Sequence, residues 1–97
     1  MTTPHPRAPM RHELKCWPDF YARIVSGDKT FEMRKDDRGY QGGDELWLRE
    51  WHSTRQEYTG RACVVDVPYL LAGRWPGLVE GYVVMSIKLR EPGEDDA

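Results

Sequence analysis

Hydrophobic and polar residues alternate along several short stretches of the chain, which is the pattern of half-buried β-strands. Alternation starts around Leu14 and Cys16 and returns in residues 30–35, 45–51, 61–71 and 82–89. Turn-forming residues separate these stretches, most densely in 36–44 and 72–81. Strands in succession, without a helix between each pair, predict an α+β or mostly-β domain.

One segment follows a helical rather than a strand period. Its apolar residues are spaced by four, in the pairs Phe20 with Ile24 and Tyr21 with Val25. Proline is favoured at the first helical position, and glycine commonly ends a helix in the left-handed conformation. Pro18 and Gly27 therefore predict one main helix over Pro18–Ser26, between the first two strands.

A small curved sheet, partly closed into a barrel with the helix across one end, buries the strand edges of such a chain. Pro68 interrupts the ladder of the fourth stretch, so we expect an edge, a bulge or a bend there. The 97 residues predict one domain over 10–90. We expect a disordered, proline-rich leader over 1–9 and an acidic, disordered tail over 91–97.

The formal net charge is −2, and the tail alone holds four of the acidic residues. The body is therefore close to neutral, with a local basic cluster. This composition suits one nucleotide or a short single strand and excludes an extended phosphate-tracking surface. No apolar run approaches the roughly 20 residues that span a bilayer, and no signal core is present. We expect a cytoplasmic protein without a membrane partner.

Two cysteines, Cys16 and Cys63, lie far apart in apolar stretches, and we expect reduced, buried thiols. The histidines have no cysteine or carboxylate partner at zinc spacing, so we predict no metal site. The glycines form neither a G-x-G-x-x-G nor a P-loop pattern, and we expect no cofactor.

The segment 27–34 places two cations and a carboxylate within six positions, directly after the helix. Residues two apart share a face of a strand, so Glu32 and Arg34 point to one side and Phe31 and Met33 to the other. Lys29, at the strand entrance, can swing over the polar side. Such a set can hold a small polar ligand. The alternative is a surface ion-pair cluster, worth about 0–1 kcal/mol per exposed pair.

The same segment resembles the signature G-x-K-x-x-E-x-R of the ASCH domain, a member of the PUA-like superfamily. Its fixed positions are Gly27, Lys29, Glu32 and Arg34, and the resemblance runs from about residue 12 to 89. The stretches 12–15, 57–61 and 81–87 resemble a small bacterial and phage family of unknown function within that group.

The resemblance implies a β-barrel of five or six strands with a cleft beside the signature strand. The superfamily engages RNA or modified nucleosides. Some ASCH members hydrolyse nucleoside amides with a lysine and a threonine three residues later, and some cut RNA. Here Glu32 occupies that threonine position, and Thr30 follows Lys29 directly. This departure argues against the amide-hydrolysing chemistry and leaves Thr30 a weak candidate nucleophile.

The leading hypothesis is a module that binds RNA or a modified nucleoside or nucleotide through Lys29, Glu32 and Arg34. Aromatic rings stack on bases, so the stacking candidates are Trp17, Tyr40, Trp47, Trp51 and Trp75. The loop residues Tyr40 and Trp75 are the better candidates for the cleft wall. One alternative is a small hydrolase that acts on an N4-acylcytidine-like amide or on RNA, with Lys29 and Glu32 as catalytic groups. Another is a protein-interaction module, which predicts an exposed apolar patch around Trp47, Trp51 or Trp75, away from the signature cleft. The sequence leaves open whether the protein is an enzyme or a binder, which ligand it takes and what its oligomeric state is.

Overall fold

The alternating stretches form seven strands in the computed structural model of the protein, which describes residues 7–90. One helix lies between the first two strands, as predicted. In chain order the elements are β1 (Arg11–Cys16), α1 (Pro18–Ser26), β2 (Phe31–Lys35), β3 (Glu45–His52), β4 (Glu57–Asp66), β5 (Leu70–Leu71), β6 (Tyr82–Ser86) and β7 (Lys88–Leu89).

The strands form two sheets. One sheet has four strands in the order β1-β3-β4-β7, with β1 parallel to β3, and the other has three in the order β2-β6-β5. One helix and seven strands in the described part of the chain confirm the mostly-β class. Within residues 7–90, no backbone ladder pairs β1 with β2, so a closed barrel is not confirmed. The expectation of one curved sheet missed that the chain changes sheet four times, between β1 and β2, between β2 and β3, near Pro68 and at Ile87.

Ile87 marks one of these corners. The chain leaves β6 here and enters β7 in the other sheet. Its amide donates to the Thr30 carbonyl at 3.0 Å, and its side chain is buried. Met85 and Val83, two and four residues before it, are also buried, whereas Leu89 beyond the corner is 37% exposed. Alternation predicts that Val83, Met85, Ile87 and Leu89 all face inward. The structure confirms this as far as Ile87 and not for Leu89.

The core lies between the two sheets and under the helix. Its largest fully buried side chains include Ile24 of α1, Leu46 and Leu48 of β3, and Met85 of β6. Alternation on β3 supplies the two leucines from one face. Burial of such apolar side chains is the main stabilising contribution, at about 25 cal/mol per Å².

The helix ends as its sequence predicts. Pro18 occupies its first turn, and Gly27 closes it with φ +89°, its amide donating to the Ile24 carbonyl at 3.1 Å. A glycine adopts this left-handed conformation without steric cost. The buried face is formed by Tyr21 and Ile24 alone. Phe20 is 45% exposed, because its position on the helix faces away from the core toward β2.

A buried carboxylate fixes the start of the four-stranded sheet. Asp44, fully buried, accepts hydrogen bonds from Arg7, from the His12 ring and from the Met10 and Gln41 amides. Burial raises its pKa, but these hydrogen bonds outweigh that effect and hold the pKa of Asp44 well below its usual range. Arg7, expected in the disordered leader, is thus tied to the domain. Residues 1–6 and the tail over 91–97 lie outside the described part of the chain.

Within residues 7–90, no helix has the length and apolar character needed to cross a membrane.

We predict that Asp44→Asn lowers the free energy of unfolding by about 3 kcal/mol at pH 7, since it leaves buried donors without their charged acceptor. The folded-state pKa of Asp44 is lowered, so the carboxylate's contribution is complete above its unfolded pKa of about 3.9 and is lost as pH falls below it. The difference between wild type and variant should therefore shrink at pH 3. Urea unfolding at both pH values measures it.

Asp28→Asn is the matched control, because the Asp28 side chain is 67% exposed and lies 3.6 Å from Arg23. It should change stability little at either pH. If Asp44→Asn lowered the free energy of unfolding by the same amount at pH 3 and at pH 7, the assigned role of the carboxylate would be contradicted.

Candidate functional site

A cleft of about 500 Å³ opens where the two sheets fail to join. Its walls come from the end of β1, the start of α1 and the edge strand β2. The side chains that line it are Lys15, Cys16, Trp17, Phe20, Lys29, Phe31, Glu32, Met33 and Arg34. The cleft therefore surrounds the segment that carries the sequence signature.

Lys29, Glu32 and Arg34 meet in this cleft. The Lys29 ammonium donates to Glu32 Oε1 at 2.5 Å, and Arg34 Nε donates to Glu32 Oε2 at 2.8 Å. The Glu32 residue is only 4% exposed. Each carboxylate oxygen thus accepts a hydrogen bond from one cation, and the carboxylate itself is buried. Hydrogen bonds to a buried charged group are stronger than those at an exposed surface. The cluster is not the exposed ion-pair set considered from the sequence.

On β2 the charged face is directed inward and the apolar face is exposed, which is the reverse of the usual arrangement of a half-buried strand. Glu32 faces inward, whereas Phe31 is 52% and Met33 61% exposed. The alternation itself is as predicted. Within residues 7–90, β2 is an edge strand that pairs with β6 alone, so the cleft can reach side chains on both of its faces. A carboxylate can face inward here because two cations neutralise it.

Flat apolar side chains form the other wall. Trp17 is 56% exposed, and its ring stacks on Phe20 with centroids 6.1 Å apart and planes 8° apart. The Lys29 ammonium lies 4.8 Å from the centre of the Phe31 ring and 5.4 Å from that of Phe20. Cations at this distance are attracted to ring faces. The cleft thus combines exposed aromatic surface with positive charge.

Arg34 also connects the two sheets. Its Nη2 donates to the Lys15 carbonyl of β1 at 2.8 Å, while its Nε holds Glu32. The side chain therefore spans the gap between two unpaired strand edges. Within residues 7–90, its Nη1 group makes no hydrogen bond, so both N–H donors of Nη1 are left for a ligand.

Cys16 lies in the cleft lining but is not positioned as a nucleophile. The residue is 2% exposed, and burial, followed by the neighbouring Glu32 carboxylate, raises the pKa of its thiol to about 12. A thiol is reactive as the thiolate, which this environment disfavours. Cys16 and Cys63 are both free in the structure.

The other residues nominated from the sequence lie elsewhere. Tyr40 is 6% exposed and packs edge-on against His12 in the core, because the loop that carries it folds inward over Asp44. Trp75 is 52% exposed on the loop before β6, where its indole donates to the Ala72 carbonyl. Neither lines the cleft, and neither does Thr30.

Sequence reasoning gave Phe20, Phe31 and Met33 no binding role. Phe20 was assigned to the buried helix stripe, and Phe31 and Met33 to an ordinary apolar face. The sequence offered one indication that Phe20 is exposed. The helix is short, and Tyr21 and Ile24 alone complete its buried face. Trp17 was among the stacking candidates but ranked below Tyr40 and Trp75.

Among residues 7–90, no group of three or more histidine, cysteine, aspartate or glutamate side chains is arranged to hold a metal ion.

Comparison with known proteins gives two findings. The family model described as "Domain of unknown function (DUF3850)" matches residues 11–87. An "Uncharacterized 12.9 kDa protein in GpA 3'region" of Escherichia phage P2 is 36% identical over 77 residues. The alignment covers 76% of this chain and 64% of that phage protein, so the chain spans just under two thirds of its relative's length.

We predict that Glu32→Ala lowers the free energy of unfolding by about 3 kcal/mol, because it leaves two partly buried cations without their counter-ion. Glu32→Gln should cost less, since the amide oxygen can still accept from one of them. Chemical denaturation measures both. Glu80→Ala is the control: Glu80 pairs with Arg74 at 3.2 Å, but its side chain is 76% exposed. If Glu32→Ala were no more destabilising than Glu80→Ala, Glu32 would not organise the cleft.

Proposed function

The chain belongs to the family described as a domain of unknown function (DUF3850), and from the chemistry of its cleft we propose that it binds RNA or a modified nucleotide. The observation that carries the proposal is the exposed Trp17–Phe20 stack beside the cations of Lys29 and Arg34. A nucleotide needs both elements, a flat apolar surface for the base and donors for the phosphate.

The base would lie against the aromatic wall. Stacking on a ring contributes roughly 1–3 kcal/mol per base and tolerates any base, since each has a π-face. Trp17 and Phe20 present nearly parallel rings, and half of each side chain is exposed before any ligand binds. Contiguous exposed apolar side chains of this kind mark binding surfaces.

The polar groups divide the remaining tasks. Arg34 offers the free Nη1 donors to a phosphate or a base edge. Glu32 holds Lys29 and Arg34 in place, and its remaining lone pairs can accept from an exocyclic amine. Lys29 adds positive charge over the ring faces. The carboxylate is thus primarily a positioning group, and the arginine is the main donor.

The resemblance to ASCH domains supports the same proposal, since the PUA-like superfamily engages RNA or modified nucleosides. On this view the two sheets are the halves of a PUA-like barrel that stays open between β1 and β2. Arg34 then spans the opening in place of backbone pairing. The cleft is the space that full closure of the barrel would fill.

A hydrolase is the alternative for the same cleft. The contacts give it less support, because the Lys29 ammonium already donates to Glu32 and to the Phe31 carbonyl. A general base needs a lone pair aimed at the substrate. Thr30 lies outside the lining, and the cleft thiol is buried. Turnover of N4-acylated cytidine or labelled RNA, abolished in Lys29→Ala, would replace the binding proposal with this one.

A protein-interaction role predicted an apolar patch around Trp47, Trp51 or Trp75, away from the signature. In the structure Trp75 is 52% exposed, as this role predicts. Trp47 and Trp51 are half-buried, and a cation covers a ring face of each, Arg49 on Trp47 and Lys15 on Trp51. Several of the largest exposed apolar side chains instead surround the cleft. We therefore favour the nucleotide ligand.

We predict that Trp17→Ala weakens binding roughly 5- to 150-fold, the loss of one stacked base. Trp75→Ala is a closely matched control, since Trp75 is 52% exposed against 56% for Trp17 but lies outside the cleft. Calorimetric titration of wild type and both variants with a panel of nucleosides, nucleotides and short single-stranded RNAs measures the effect.

The proposal fails if no member of the panel binds to the wild type. It also fails if Arg34→Ala binds as tightly as the wild type. If Trp75→Ala weakened binding and Trp17→Ala did not, the binding site would lie at the loop of Trp75, which the sequence indicated.

A further inference from the structure

A second hollow, of about 460 Å³, adjoins the cleft. It is lined by Glu13, Leu14, Lys15, Arg34, Arg38 and Tyr58. Lys15 and Arg34 line both hollows, so the two adjoin each other along β1, and together they are called the groove. The first part of this groove is largely apolar and aromatic, whereas the second is polar.

The second hollow carries net positive charge. Its lining includes the cations Lys15, Arg34 and Arg38 and one carboxylate, Glu13. That carboxylate is already paired, because Arg49 Nη1 donates to Glu13 Oε2 at 2.7 Å. An anion in this hollow would therefore meet three cations and a neutralised acid.

Backbone carbonyls of β1 hold two of these cations in place. Arg34 Nη2 donates to the Lys15 carbonyl and Arg38 Nη1 to the Glu13 carbonyl, each at 2.8 Å. The two carbonyls are two residues apart on the unpaired edge of β1, a separation of roughly 6–7 Å. Successive phosphates of a single strand can match this spacing. Anchored guanidinium groups lose little further side-chain freedom when they bind an anion.

We propose that the groove binds at least two linked nucleotides, with a base against Trp17 and Phe20, the phosphate of that nucleotide at Arg34 and the next phosphate along the strand at Arg38. This inference rests on the proposed function and specifies the ligand as a short single strand rather than a free mononucleotide. An apolar hollow followed at once by a cationic one matches the alternation of base and phosphate along a strand. An acidic peptide would use the cations but not the aromatic wall.

The experiment compares UMP, CMP, AMP and GMP with the dinucleotides pUpU, pCpC, pApA and pGpG, on wild type, Arg38→Ala and Arg74→Ala. We expect the wild type to bind a dinucleotide about tenfold more tightly than its mononucleotide, the effect of one charge-assisted contact. Arg38→Ala should remove this gain and leave mononucleotide affinity unchanged. Arg74→Ala, an equal loss of charge at a side chain that lines neither hollow, should retain the gain.

Salt dependence gives a second measurement. The logarithm of the association constant should fall more steeply with the logarithm of salt for pUpU than for UMP, by about 0.7 in slope for one further phosphate contact. In Arg38→Ala the two slopes should become equal. A hexaglutamate peptide serves as the acidic-peptide probe and should bind more weakly than every dinucleotide.

The outcomes separate this inference from the proposed function. If mononucleotides bind and dinucleotides bind no more tightly, the second subsite is wrong and the proposed function stands. If Arg38→Ala weakens both ligand sets equally, the subsite is also wrong. If no nucleotide of either length binds, the proposed function itself fails. Hexaglutamate binding above that of the dinucleotides, lost in Arg38→Ala, would assign the hollow to a protein partner.

Discussion

The candidate site depends on one buried carboxylate. Glu32 points inward from an edge strand and holds Lys29 on one oxygen and Arg34 on the other. An inward-facing charge on a small domain is costly unless it is fully paired. Pairing with these two cations offsets the cost and brings both of them to the same cleft. The geometry of the cleft follows from this arrangement more than from the packing of the core.

The arrangement also keeps the two sheets apart along one side. Edge strands expose unpaired backbone groups, which proteins protect with charged side chains or by barrel closure. Here Arg34 and Arg38 donate to carbonyls on the open edge of β1. The edge is protected, but the space between β1 and β2 remains open. A groove with aromatic and cationic sections is the result, and our proposal assigns these sections to the bases and phosphates of a single-stranded nucleic acid.

Much of the backbone could be predicted from residue patterns. Pro18 and Gly27 bounded the helix because each has a strong conformational preference. The meeting of Glu32 with Arg34 followed from strand alternation. The division into two sheets could not be predicted, because it depends on where Ile87 and Pro68 redirect the chain. The cleft wall was missed for a similar reason, since Phe20 and Met33 look like core residues until the rest of the core is seen to be complete without them.

The most direct test of the account is a nuclear magnetic resonance titration of the protein with pUpU. The chain has four tryptophans, and their indole N–H signals are resolved from the backbone amides. The account predicts that the Trp17 indole, the Arg34 Nε–H and the backbone amides of residues 29–34 shift together with one affinity. The Trp75 indole should stay in place. Shifts confined to Trp75, or a spectrum unchanged at saturating dinucleotide, would contradict the claim that the Glu32-centred cleft binds nucleotides.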